Sequence, residues 1–206
     1  MKRARHWFAT VLAFSLLVSV DAAEDRDGLA EARVVVESLE ATIVDVMKAG
    51  PALGFEGRFQ QLMPVLRRSF DLAYISELVL RRHWESLSED ERGQFTEKFS
   101  ELTGAIYAGE LGDYSGQVFA VVNTKPLRRG RMLVRSELRD GGDVDQFDYV
   151  LHQDKAESWR IVNVSVNGVS DLALKRSEYS GVVSQSGLTA LLERLDEKIN
   201  NYRTPK

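Results

Sequence analysis

Residues 159–179 read W-R-I-V-N-V-S-V-N-G-V-S-D-L-A-L-K-R-S-E-Y, and the fold turns on how they are placed. The first eight have the β-branched density of a sheet strand, with Val162, Val164 and Val166 on one face and Trp159 and Ile161 on the other. Both faces are apolar, so the strand is expected inside the fold. Asn167-Gly168 is a turn signal, and the polar-apolar run from Ser170 predicts the start of a helix. A buried strand therefore hands the chain directly to a helix, which points to the space between sheet and helices as the working part of the molecule.

Upstream of this stretch the hydrophobic period is two. Gln117 to Asn123, Arg131 to Leu138, Asp145 to His152 and Ser158 to Val166 read as strands, joined at Lys125-Pro126 to Gly130, at Asp140-Gly141-Gly142-Asp143 and at Gln153-Asp154-Lys155. About four antiparallel strands with short connections make a meander. Met132, Val134 and Leu138 alternate with Arg135, Glu137 and Arg139, while Phe147, Tyr149 and Leu151 alternate with Gln146, Asp148 and His152. One face is apolar and the other wet.

Before the meander the period is helical. Ala32, Val35, Val36, Leu39, Ile43 and Val46 mark a helix from Leu29 to Met47, with Asp27 as a cap and Gly50-Pro51 as a stop. Phe55, Phe59, Leu62 and Met63 mark a second, which Pro64 is expected to break or kink. Leu72, Ile75 and Val79 continue the pattern from Phe70 to Leu80, closing on Arg81-Arg82-His83-Trp84. Ser88-Glu89-Asp90-Glu91 is a capping box, and Phe95, Phe99, Leu102 and Ile106 form the stripe of a helix running from Ser88 to about Gly109. Such a stripe serves core packing or the wall of an apolar pocket. After the meander, Leu172 to Val183 reads as one helix and Leu188, Leu191, Leu192, Leu195 and Ile199 as the face of a second beyond Ser186-Gly187. The fold class is therefore α+β: a curved antiparallel sheet of about four strands, covered by N- and C-terminal helices around an apolar interior.

The beginning of the chain bears on compartment. Lys2, Arg3 and Arg5 precede an apolar run from Trp7 to Val20, and Val20-Asp21-Ala22 offers a small-residue cleavage site, so residues 1–22 read as a secretory signal peptide and 23–206 as a single domain. The run falls short of the roughly 18 to 20 residues that span a bilayer. The expected location is outside the cytoplasm, reached by export. Cleavage after Ala22 leaves 24 basic and 30 acidic residues, an acidic balance that argues against nucleic acid as a partner. There is no cysteine, which excludes disulfides, thiolate metal sites and a Cys nucleophile.

Motifs for catalysis are missing. His83 and His152 stand in no metal-binding or nucleophile-base spacing. No G-x-S-x-G elbow, G-x-x-x-x-G-K-[ST] loop, G-x-G-x-x-G turn or H-E-x-x-H helix occurs, so neither a cofactor nor an enzyme is expected. Asp148 and Glu137 read as outward, solvated strand positions. Lys125, Arg128, Arg129 and Arg131 crowd one hairpin turn, and Arg81, Arg82 and His83 close a helix. The first set reads as a solvated turn and the second as cations at a helix C-terminus, with acidic headgroups or a partner protein as the alternative for each.

Taken in order, Phe70-Asp71, the helix ending at Leu80 to Trp84, the capped Ser88 to Phe95 segment leading to Phe99 and Tyr107, Tyr149, Trp159, Val164 to Ser170, Arg176-Ser177 and the Leu-rich helix ending in Lys198 resemble the MlaC family. These are the periplasmic phospholipid-binding components of the Mla system, also called the toluene-tolerance auxiliary family. The likeness covers nearly the whole chain after residue 22. Where the family usually has Leu-Gly this chain has Leu80-Arg81, and where the family has a Tyr-Arg-Ser-x-Phe-like segment it has Lys175-Arg176-Ser177-Glu178-Tyr179. The sister group HpnM, associated with hopanoids, is similar to the same residues.

The resemblance implies a soluble carrier that shuttles phospholipid between an outer-membrane lipoprotein complex and an inner-membrane transporter complex with MCE domains, without chemistry on the lipid. Two acyl chains hold about 30 methylene groups, whose exposure to water costs on the order of 25 kcal/mol. Such a carrier needs a deep dry pocket with a wet mouth. Ile75, Phe99, Leu102 and Ile106 from the helices, with Val134, Leu138, Phe147, Tyr149, Val162, Val164 and Val166 from the sheet, are its expected wall. The ligand is then a phospholipid or, on the HpnM reading, a hopanoid. The competing class is an enzyme on the cone-like nuclear-transport-factor-2 architecture. Two or more buried ionisable groups in the pocket lining would mark it, and an all-apolar tunnel would favour the carrier.

Overall fold

The computed structural model describes residues 19–111 and 114–204, with side chains from residue 27 onward. Most of the segment read as a signal peptide lies outside the described residues. The first helix, α1 (Ser19–Ala49), runs through Asp27 instead of starting at it, so that residue caps nothing. Gly50, with φ of 65°, and Pro51 end the helix in a 3-10 turn, Gly50–Leu53.

The second helix, α2 (Gly54–Ser69), passes through Pro64 as one α-helix. Pro64, expected to break or kink it, does not end the helix, which is held by its neighbours: Leu62, Val65 and Leu66 are all buried. Phe70 then bridges to Ile161, and Asp71 caps α3 (Leu72–Leu80) by accepting from Tyr74 N at 3.0 Å. A 3-10 turn, Arg81–Ser86, leads to α4 (Glu89–Glu110), whose start is the expected capping box, with Ser88 and Glu91 bonded reciprocally.

Four long strands follow: β1 (Val118–Leu127), β2 (Arg131–Asp140), β3 (Asp143–Gln153) and β4 (Trp159–Val166). Asn167-Gly168, both at positive φ, turns the chain back through the short β5 (Val169–Ser170), and the sheet order is β1-β2-β3-β4-β5, antiparallel throughout. The last helix, α5 (Asp171–Arg203), is capped by Ser170 and broken at Gly187, where φ is 80° and ψ 176°.

One bulge changes the reading of the central strand. Tyr149 pairs with Val164, but Leu151 pairs with Ile161, so Val162 is the extra residue. Side-chain alternation resets across it. Trp159 and Ile161 consequently share a face with Val164 and Val166, where simple alternation put them on opposite faces. This inner face also carries Met132, Val134, Ser136 and Leu138 from β2 and Phe147, Tyr149 and Leu151 from β3. Helix α1 lies along it: a Cβ on Gly28 would stand 3.3 Å from Trp159 at one end, while Ile43 and Met47 reach the other. On the outer face Arg135 holds Asp148 with two bonds, at 2.6 and 2.8 Å.

Candidate functional site: an apolar cavity under the sheet

The helices do not fill the inner face evenly. Toward Trp159, α1 packs directly on the sheet. Toward the other end, α1, α3, α4 and the start of α5 stand away from it and leave a cavity of about 610 Å³. That size belongs to a ligand site, not to a packing defect.

The wall is built from rows that secondary structure places together. On the sheet side Phe119, Leu138, Phe147, Tyr149, Val164 and Val166 face inward, with the Phe119 and Phe147 rings edge-on at 5.6 Å and Phe147 stacked on Tyr149 at 6.2 Å. On the helix side Leu72 and Ile75 come from α3, Phe99, Ile106 and Tyr107 from α4, and Ile43 and Met47 from α1. Phe99 is held from behind by an aromatic cluster with Phe95 and Tyr179. Polar groups gather where α4 ends and α5 begins, namely Glu110, Gln117, Asp140, Asp171 and Lys175. Lys175 pairs with Asp171, and Asp140 accepts from Gln117 Nε2 at 2.9 Å. Of the exposed apolar residues, Val169 pairs with the cavity-lining Val166, whereas Val118 and Val144 stand opposite Arg139 on the outer face.

Of the residues expected in the wall, Ile75, Phe99, Ile106, Leu138, Phe147, Tyr149, Val164 and Val166 line the cavity. Leu102, Val134 and Val162 do not; they are buried in the packed core. Val134 lies on the part of the inner face that α1 covers, and Val162 is the bulge residue. Phe70, Leu72, Tyr107, Ile43, Met47 and Phe119 were missed. Phe119 was legible, because it lies one strand over from Leu138. Ile43 and Met47 carried no such signal, since a helical stripe does not say which of its turns meets a void.

The chemistry of the lining is sparse. The hydroxyls of Tyr107 and Tyr149 have pKa values raised by burial, so both stay protonated. One carboxylate lies beneath them. Glu40 of α1 is 3% exposed, and burial, helped by the nearby Glu37, pushes its pKa up to about 7. The Ser136 and Tyr149 hydroxyls offset part of that rise, yet neither closes a bond of normal geometry on Oε1, which has no partner. Glu40 does not line the cavity. Among the described residues no group of acidic and histidine side chains is placed to hold a metal. No described helix is long and apolar enough to cross a membrane.

A curved antiparallel sheet whose helices enclose an apolar cavity places the chain among α+β folds with an internal pocket. The same fold occurs in a phospholipid-binding protein from Ralstonia solanacearum, solved in complex with a phospholipid: the TM-score is 0.74 at 19% identity, over 84% of this chain and 99% of that one. The chain belongs to the MlaC family, whose sequence model, described as MlaC protein, matches residues 37–197. No protein of curated function matches it.

Proposed function

We propose that this protein is a periplasmic lipid carrier that holds phospholipid acyl chains in the cavity and shuttles the lipid between outer- and inner-membrane complexes. The observation that carries the proposal is the cavity itself, about 610 Å³ with a mostly apolar lining whose charged groups are Glu110, Asp140, Asp171 and Lys175, the first three of them exposed. Tails need apolar shape and exclusion of water, which the sheet and helix rows supply. The headgroup remains among the polar groups at the mouth. Family membership and the phospholipid-bound Ralstonia structure support this ligand class. The reading includes export by a signal peptide in residues 1–22 and delivery to a transporter complex with MCE domains.

The cavity offers little for catalysis: the half-buried Tyr107 and the buried Tyr149 stay protonated, and the buried carboxylate lies outside the lining. Native mass spectrometry of protein purified from cells without added detergent tests the proposal. The expected result is a one-to-one adduct with the mass of a two-chain phospholipid. A ligand-free spectrum, together with failure to take up phospholipid from vesicles, would remove the proposal; a polycyclic adduct would move it to hopanoids.

A further inference from the structure

A second concavity lies where the first half of α5 crosses the C-terminal end of α3. It has a volume of about 480 Å³ and is lined by Arg81, Arg82 and Arg176 with Ser177, Ser180 and Ser184. It shares no lining residue with the apolar cavity.

Three guanidinium groups converge here without a counter-charge. Among the described residues none of the three takes part in an ion pair, although the chain carries 31 acidic residues against 27 basic ones. Glu178, next in sequence to Ser177, is engaged by Lys198 at 2.6 Å. The C-terminal end of α3 accounts for one cation: Arg176 Nε donates to the Leu78 carbonyl at 3.0 Å. A helix end presents only about half an elementary charge. It does not balance three.

The arginines are also positioned by neutral partners. Arg82 Nη2 donates to Ser184 Oγ at 3.0 Å, and Ser184 Oγ in turn stands 3.1 Å from His83 Nε2. These bonds fix Arg82 and Arg176 while leaving other guanidinium N–H groups free. Arg81 has φ of 44°, a region where glycine is the unstrained residue. Burial, and after it the neighbouring Arg81, lower the pKa of Arg176.

We propose that Arg81, Arg82 and Arg176, with the Ser177 hydroxyl, form a second site that binds a phosphate-type oxyanion. Guanidinium groups match such an oxyanion through paired N–H···O bonds, and three of them can meet three of its oxygens. The chemistry is shared by free inorganic phosphate and by the phosphate of a phospholipid headgroup at a membrane surface. The site stands independently of the carrier reading.

The test is titration of the whole protein with inorganic phosphate, against chloride at matched ionic strength, with backbone amide NMR shifts read along Arg81–Ser86 and Arg176–Ser184. A parallel arm measures co-sedimentation with phosphatidylglycerol vesicles against vesicles of a phosphate-free galactolipid. Arg81→Gln with Arg82→Gln leaves the Arg176 tie to Leu78 in place, and its fold is checked by circular dichroism. Millimolar or tighter phosphate binding, weakened about tenfold or more in the double variant, supports the site with free phosphate as a source. Vesicle binding that needs the phosphate and is lost in the variant supports it with the headgroup as source. No binding in either arm, or binding that the variant leaves unchanged, overturns it. Capture of a poly-glutamate peptide in place of both phosphate sources overturns it in favour of an acidic protein partner.

Discussion

Asp71 ties two layers of the fold together: its Oδ1 caps α3 through Tyr74 N, and its Oδ2 stands 2.8 Å from His152 Nε2 on β3. Tyr74 stacks on the same imidazole, with ring centroids 4.7 Å apart. Leu72 and Ile75, which line the cavity, follow directly from this cap. Asp71→Ala loses a helix cap of about 1 kcal/mol and a hydrogen bond to histidine of about the same size, so destabilisation of about 2 kcal/mol is expected in urea unfolding. Asp71→Asn keeps the cap and loses less. Equal effects from the two substitutions would refute the double role.

Cavity occupancy is the next expectation. Val164 faces the void from the middle of the sheet, so a larger side chain there can grow into empty space. Val164→Trp is expected to keep the fold and melting temperature while reducing co-purified lipid several-fold. The same substitution at Val162, buried at the bulge and outside the lining, overpacks the core and costs about 1–3 kcal/mol. Mass spectrometry and thermal melts separate the two results. Undiminished lipid in a folded Val164→Trp protein would place the ligand elsewhere.

The meander, the capping box, the Asn167-Gly168 turn and the helix start at Ser170 were all legible, because each rests on local residue chemistry. What was not legible depended on partners distant in sequence. The bulge at Val162 is not fixed by W-R-I-V-N-V-S-V alone, since Ile161 and Val162 are adjacent apolar residues and alternation does not say which of them is the extra one. The same reason explains the split among the expected wall residues: alternation assigns a face, but only the course of α1 decides which part of that face is covered. At Pro64 the local rule allowed a break, and tertiary burial carried the helix through. Glu40 had a sequence signal that was passed over, for it lies four residues after Val36 and three before Ile43, on the apolar stripe itself.

That buried carboxylate makes stability depend on pH. Its pKa is raised from 4.5 to about 7 in the folded protein, so the folded state binds the proton more tightly than the unfolded chain does. The contribution is fully present below pH 4.5, declines as pH rises through 7, and is constant above that. The decline amounts to about 3 kcal/mol at most. Glu40→Gln is expected to match the parent at pH 4 and exceed it in stability at pH 8. Urea midpoints for both proteins across this range check the sign; a parent that gains stability from pH 5 to 8 relative to the variant would contradict it.

Two glycines on α4 give opposite expectations. A Cβ at Gly104 would overlap Met63 Sδ and stand 2.8 Å from Phe59 Cε2, whereas a Cβ at Gly93 meets nothing within 4 Å. Alanine is preferred to glycine in a helix by about 1 kcal/mol. Gly93→Ala should therefore stabilise the protein by about that amount. At Gly104 the same gain is opposed by overpacking of about 1–3 kcal/mol, because α2 crosses α4 there and Met63 and Phe59 must both move. Net destabilisation is expected, recovered in part by Met63→Ala, which removes the overlapping sulfur. Chemical denaturation of Gly93→Ala, Gly104→Ala and Gly104→Ala/Met63→Ala measures all three signs. A stabilised Gly104→Ala protein would show that α2 and α4 are held farther apart than this packing requires.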